Sequence, residues 1–329
     1  IQELDIVRAG TVGNVRVIDD AAVNISEPVK PKKSLLVAVC FLLGGIFSAG
    51  VVLLRAIFNR GVETAEQIEK LGIPVYATVP LSREQSKLNL LLRKGKSEAQ
   101  KEIHLLALNN PADLAIEALR GLRTSLHFAM MDAANNILMV SGPSPNVGKS
   151  FVSANFAAVI AQSGKRVLVV DGDLRRGAMH EQFNINNNNG LSEVLSRQID
   201  IKDVVIATKA EGLFFISRGV APPNPSELLM SSDFERFINS IKSDYDLIII
   251  DTPPILAVTD AAIIGRHAGT SMMVVRFDMN PVKEIELTKN RFEQNGVLIK
   301  GAVFNAVEKK AKTAASYGYY SYEYKSKGK

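Results

Sequence analysis

Cysteine is all but absent. Cys40 is the sole one in 329 residues, so no internal disulfide can form, and its place in an apolar run argues against redox chemistry. Neither sign of charge dominates: 39 Lys and Arg stand against 34 Asp and Glu, leaving a net charge of +5 and a pI near 9.1. That mild, partly local bias points weakly to a membrane surface or an acidic partner. No motif combining aromatic and basic residues accompanies it, so nucleic acid is not an expected partner. Ile1 is preceded by neither an initiating Met nor a signal sequence, and the chain is expected to be a piece of a longer protein. What remains, 47% hydrophobic and 22% charged residues, is ordinary for a globular protein with room for one large domain or two small ones.

Charge is missing altogether from Ser34 to Leu54, SLLVAVCFLLGGIFSAGVVLL. As a helix this run reaches about 30 Å, the thickness of a bilayer core. Gly44, Gly45, Ser48, Ala49 and Gly50 would allow neighbouring helices to approach closely. A buried core helix is the alternative. Lys30, Lys32 and Lys33 flank one side and Arg55 and Arg60 the other, so the positive-inside rule does not decide the orientation.

The rest of the chain is organised around residues 137–161, ILMVSGPSPNVGKSFVSANFAAVIA. Ile137–Val140 read as a buried strand and Phe151–Ala161 as a helix. Gly142 to Ser150 between them form a phosphate-binding loop. Backbone N–H groups and a helix N-terminus would converge on an anion there. Lys149 would add a cation for the β- and γ-phosphates, and the Ser150 hydroxyl would reach Mg²⁺. Five residues rather than four separate Gly142 from Gly148, and Pro143 stands where the first glycine belongs. A Gly/Pro turn before an ordinary helix is the plain alternative. Two further runs oppose it: RVLVVDGDLRR, ending at Asp171 and Asp173, and DLIIIDTPP, ending at Asp251. Apolar runs that end in Asp are buried parallel strands, whose C-terminal ends form a ligand crevice. Lys149, Ser150, Asp171, Asp173 and Asp251 are therefore expected along one edge, as a Mg–nucleotide site. Alternating strands and helices over 136–307 predict an α/β fold, a doubly wound parallel sheet of the P-loop NTPase kind.

Outside that core, Thr64-x-x-Gln67 resembles a capping box for a helix over 64–71, and Ile73–Val79 read as an edge strand. Residues 82–112 read as a mobile basic linker or, equally, a plain surface helix. A helix starting at Asp113 carries Glu117, Arg120 and Arg123 as a narrow charged stripe, usually a solvated face. Leu191–Leu195 read as helical, and Pro222–Pro225 as a turn into a helix over 226–241. Asn305 is placed just after a strand over 301–304. The segment Ser316–Tyr324 holds five of the seven tyrosines, Tyr317, Tyr319, Tyr320, Tyr322 and Tyr324. With Gly, Ser and Lys around them they have no core to pack in, which leaves an aromatic docking tail, an aggregation-prone end or a set of phosphate acceptors.

The order SPNVGKS, VVDGDLR, IIIDTPP resembles the bacterial tyrosine kinases (BY-kinases) of capsule and exopolysaccharide export, polysaccharide co-polymerases whose P-loop ATPase fold is related to ParA/MinD proteins. The resemblance covers nearly the whole chain. It implies 1–33 as the end of a periplasmic chain-length-determinant region, 34–54 as a transmembrane helix and 55–112 as a juxtamembrane segment and linker. Residues 113–308 would be a cytoplasmic kinase domain and 309–329 a tyrosine-rich tail, with the anchor in the bacterial inner membrane. Pro145, Asn146, Val147, Gly148, Lys149, Ser150, Phe151 and Asn305 would contact ATP. Ser150, Asp173 and Asp251 would hold Mg²⁺, and Lys149 and Asp171 would serve catalysis, the roles of Asp171 and Asp173 being exchangeable. The γ-phosphoryl would pass to the tail tyrosines of a neighbouring copy. Glu117, Arg120 and Arg123 would contribute to a ring-shaped homo-oligomer, with eight copies as one expected count. A low-molecular-weight tyrosine phosphatase and the polysaccharide export machinery would be partners. One departure stands out: Ala178 occupies the position where some relatives carry a gating tyrosine, although Arg218, its phosphate receiver, is present. The competing reading is a ParA/MinD-like ATPase switch, but Ser144 stands where those proteins carry a second lysine. A scaffold with a dead nucleotide site is a third possibility.

Overall fold

The computed structural model describes residues 33–58, 61–86 and 104–308, in two units, 1–58 and 59–329. The first holds one helix, α1 (Lys33–Phe58). Its segment Lys33–Leu54, with mean hydropathy 2.6, is long and apolar enough to cross a membrane, and none of it is buried within its unit. The expected periplasmic residues before Lys33, the middle of the expected linker (87–103) and the tyrosine cluster Tyr317–Tyr324 lie outside the described residues.

The second unit is built on an eight-stranded sheet. In chain order its elements are α2 (Ala65–Glu69), β1 (Val75–Pro80), α3 (Leu106–Asn109), α4 (Leu114–Met130), β2 (Ile137–Ser141), α5 (Lys149–Ala161) and β3 (Val167–Asp171). There follow α6 (Met179–Phe183), α7 (Leu191–Leu195), α8 (Ile201–Val204), β4 (Ile206–Ala207), β5 (Leu213–Ile216), α9 (Pro225–Met230) and α10 (Ser232–Ile241). The chain continues through β6 (Leu247–Asp251), α11 (Asp260–Gly265), β7 (Thr270–Arg276), α12 (Val282–Gln294) and β8 (Ile299–Val307). The strands run in the order β1-β8-β7-β2-β6-β3-β5-β4, all parallel except the short β4. Helices cover both faces, as the alternation of elements predicted.

The side-chain period of two divides the central strands between two cores. Leu138, Val140, Val167, Val169 and Ile249 meet α4 and α5 on one face. Ile137, Met139, Leu168, Val170, Ile248 and Ile250 meet α10, α11 and the end of α12 on the other. Each such side chain contributes roughly 1.5–3 kcal/mol by leaving water. This is why β2, β3 and β6 are buried end to end and hold their C-terminal residues rigidly. Helix α5 is buried almost all round, its apolar residues lying on every side rather than in one stripe, with the buried polar Ser153 and Asn155 both hydrogen-bonded. Helix α4 begins where expected, with the Asp113 carboxylate accepting the Ala115 N–H at 2.8 Å, and buries Ala115, Ile116, Leu119, Leu122 and Leu126.

Three expectations are corrected. The described parts of 55–112 are not a separate segment. β1 pairs with β8, and Leu105, Leu106 and Ala107 are buried against α5, where the Asn155 side chain accepts the Ala107 N–H at 2.9 Å. The predicted 226–241 helix is two helices, because Ser231 is extended (φ −74°, ψ 158°) and its hydroxyl donates to Leu228 O. Asn305 does not follow a strand: β8 continues to Val307 and Asn305 lies within it, 5% exposed.

Candidate functional site

The site is assembled at the C-terminal ends of β2, β3 and β6, where the register sets Asp171 beside Asp251 and Asp251 beside Val140. From β2 the chain turns through 142–148 into α5. Gly148 closes the turn at φ 95°, a left-handed value that favours glycine, and Asn146 also has positive φ, 62°. The loop is pinned from the neighbouring strands. The Asn305 amide donates to Val147 O at 2.9 Å, the Arg276 guanidinium to Asn146 O at 2.8 Å, and the Asn280 amide to Ser144 Oγ at 2.8 Å. Asn280 O in turn accepts the Val62 N–H at 2.9 Å. Pro145 and Asn146 are exposed, while Val147 is buried.

Lys149 is only 8% exposed. Burial pulls its pKa down, opposed by the charges of Asp251 and Asp173. The Ser150 hydroxyl donates to Asp251 Oδ2 at 2.6 Å and the Ser153 hydroxyl to Oδ1 at 3.2 Å. Burial pushes the Asp251 pKa up to about 6, with Lys149 and Ser150 opposing it. Asp171 has no exposed surface; burial and the Asp251 charge push its pKa well above the ordinary carboxylate range, although the backbone N–H groups of Met179 and Asp173 donate to it. Asp173 is half-buried, and its Oδ1 accepts the N–H groups of Arg175 and Arg176 at 3.2 and 2.9 Å. Lys149, Ser150, Asp171, Asp173 and Asp251 thus form one electrostatically coupled group. Among the described residues no three His, Cys, Asp or Glu form a metal cage.

Gly177 lies directly over Asp171, and a Cβ there would overlap both carboxylate oxygens. Gly177→Ala is expected to lower stability by about 1–3 kcal/mol through overpacking, read as a lower midpoint of thermal unfolding.

Beside the phosphate loop is a crevice of about 390 Å³, lined by Lys149, Ser150, Phe151, Asn146 and Asn305 and also by Ser82, Gln85 and His104. That second wall had no signal in the sequence beyond polar composition. Neither Ser153 nor the pins Arg276 and Asn280 were anticipated; for Arg276 and Asn280, their position at the end of β7, beside β2, was the available clue. Glu117, Arg120 and Arg123 lie away from the crevice lining, on the outward side of α4, where Glu117 and Arg120 pair with each other. Ala178 is exposed. Arg218 has a structural partner, donating to Arg175 O at 2.9 Å.

Residues 1–57 match the GNVR family, a G-rich domain on tyrosine kinases, and 135–280 match an AAA domain family. The tyrosine-protein kinase wzc of Salmonella typhimurium is 50% identical over 100% of this chain and 46% of its own length. The tyrosine-protein kinase etk of Escherichia coli K12 is 50% identical over 96% of this chain and 44% of its own length. The chain therefore spans somewhat under half of these curated relatives. Among solved structures, the kinase domain of the Escherichia coli tyrosine kinase ETK superposes with a TM-score of 0.70 at 51% identity, covering 79% of this chain and 99% of that one. The BceF tyrosine kinase domain gives 0.69 at 45% identity, covering 75% and 100%. With a complete kinase domain matched at this identity and its phosphate loop and strand-end carboxylates in place, the chain belongs to the bacterial tyrosine-protein kinase family.

Proposed function

We propose that the chain is the membrane-anchored kinase part of a longer protein that transfers the γ-phosphoryl of ATP to tyrosines Tyr317, Tyr319, Tyr320, Tyr322 and Tyr324 of a neighbouring copy. The observation that carries this is the coupled group of Lys149, Ser150, Asp171, Asp173 and Asp251 beside a crevice, in a domain 51% identical to a tyrosine kinase domain. The residues fit a Mg–nucleotide. The loop N–H groups of 146–150 and Lys149 suit the phosphates, Phe151 and Asn305 line the crevice, and Ser150 with Asp251 and Asp173 offers hard oxygen ligands. Bound Mg²⁺ would neutralise charge on the transferring group. Phosphoryl transfer needs mainly positioning and charge stabilisation. The tyrosine oxygen forms a bond to the γ-phosphorus, the bond to the β-phosphate oxygen breaks, ADP leaves, and the tyrosine proton passes to a carboxylate.

Asp171 is the proposed base, its affinity for a proton raised by burial and by the Asp251 charge. A second reading exchanges its role with Asp173, favoured by the complete burial of Asp171 and the partial exposure of Asp173. The base is the residue whose Asp→Asn change abolishes the acid limb of the pH–rate profile.

The wider reading is an inner-membrane protein anchored by α1, with its kinase unit cytoplasmic, the preceding segment periplasmic, and Glu117, Arg120 and Arg123 in ring contacts. Each phosphate adds about −1.5 to −2 charge to the tail. Repulsion between tails would loosen the ring, and a low-molecular-weight tyrosine phosphatase would restore it, tuning polysaccharide polymerisation and export. Incubating the purified chain with Mg-ATP and probing for phosphotyrosine tests the core of this reading. Labelling of the tail that disappears with EDTA is expected. Phosphate release without labelling would instead indicate an ATPase switch, and neither would indicate a scaffold.

A further inference from the structure

The network behind the Asp171–Asp173 loop is unused by the chemistry above. Asp260, the first residue of α11, is completely buried. Its carboxylate accepts from Arg175 Nε at 2.8 Å and from Arg175 Nη2 at 3.3 Å. Ser226 Oγ donates to the same carboxylate at 2.6 Å and accepts from Arg175 Nη2 at 2.9 Å. Three segments far apart in sequence thus close on one side chain, and Ser226 is delivered there by the turn at Pro222–Pro225. The other end of Arg175 is held too, its carbonyl accepting from Arg218. The loop carrying Arg218 is itself braced: Glu193 accepts the Val220 and Gly190 N–H groups, and Asn187 accepts that of Gly219. Between these two grips, the Arg175 and Arg176 N–H groups bind the Asp173 carboxylate, and the Gly177 N–H binds Asp173 O at 2.7 Å.

We propose that Asp260 is a positioning residue for phosphoryl transfer: by clamping Arg175 it fixes the loop 172–178 and so sets where Asp171 and Asp173 face the reacting groups. A planar guanidinium held through two nitrogens fixes direction as well as distance. The clamp does not touch the phosphate loop, so it should govern turnover rather than nucleotide affinity. The inference rests on the kinase reading.

The test uses the full chain in detergent, as wild type, Asp260→Asn and Arg175→Lys. Readouts are kcat and KM for Mg-ATP in tail labelling, Kd for a fluorescent ADP, and amide hydrogen exchange over 172–178. Both variants are expected to lose at least about tenfold in kcat, to keep KM and Kd within about threefold, and to exchange faster at 175–177. Ser226→Ala, which keeps the ion pair, is expected to show a smaller loss with the same signature, and serves if Asp260→Asn does not fold. A kcat within twofold of wild type, or a fall in kcat accompanied by a matching rise in Kd with exchange over 172–178 unchanged, would overturn the assignment. A wild-type chain that fails to label sinks the kinase reading instead, while the exchange measurement still decides whether the clamp holds the loop.

Discussion

Replacing Lys149 by Met is expected to cut tail phosphotyrosine labelling by about 10³-fold or more while leaving the chain folded. Met has nearly the length of the lysine stem, and that stem is what fills the buried position, so packing changes little. What disappears is a cation that both Asp251 and Asp173 face. Removing a preorganised charge from the point where transition-state charge develops typically raises a barrier by about 3–4 kcal/mol, or two to three orders of magnitude in rate. Ground-state phosphate binding should weaken as well, which adds to the loss. Arg is not expected to rescue activity, because its larger planar head does not suit a buried site shaped for an ammonium. Radiolabel transfer from γ-labelled ATP, with circular dichroism as a folding control, measures both parts. Undiminished labelling in Lys149→Met would defeat the proposed mechanism.

Asp251→Asn is expected to uncouple stability from function. In the nucleotide-free chain Asp251 titrates near 6, against about 3.9 for an unperturbed aspartate. The folded state therefore holds this proton more tightly than the unfolded chain does. Its contribution to stability is fully present below about pH 4 and is lost as pH rises through about 6. At pH 7–8 a neutral Asn removes that cost, so the variant should be more stable than wild type by on the order of 2 kcal/mol. The advantage should shrink towards zero near pH 4. The two serines bond different carboxylate oxygens, so the Asn oxygen keeps one of these bonds and the other hydroxyl must turn to accept from the amide nitrogen, which offsets part of the gain. Mg-dependent nucleotide binding, in contrast, should fall by at least about a hundredfold, since the carboxylate is lost. In the wild type the same affinity should decline as pH drops below about 6. Thermal melts across pH and titration with a fluorescent nucleotide give the two halves. A variant less stable than wild type at pH 8, with nucleotide binding intact, would contradict both.

The parts of the site carried by strongly patterned strands were legible in the sequence. Buried parallel strands are near-continuous apolar runs, so Ile137–Val140, Val167–Val170 and Leu247–Ile250 announced themselves. Their ordered ends then placed Ser150, Asp171 and Asp251 together. The Asp113 cap and the stripe on α4 were equally plain. The strand β1 was read as an edge but not assigned to the sheet, because pairing of β1 with β8, more than two hundred residues away, leaves no trace in local periodicity. The crevice wall formed by Ser82, Gln85 and His104 is polar and irregular. Asp260 carries no signal in the sequence, and only the fold shows that Arg175 and Ser226 close on it. Asn305 drew notice through the family resemblance but was misplaced, since a polar residue after Phe304 looks like a turn although the buried Ala306 and Val307 continue the strand.

Both ends of the described second unit reach the phosphate cradle. On the leading side Val62 is bonded to Asn280, which grips Ser144. On the trailing side β8 runs from Asn305, which grips Val147, to Val307, beyond which lie the tyrosines. The loop is therefore held from both flanks of the described unit, in each case through one side-chain hydrogen bond.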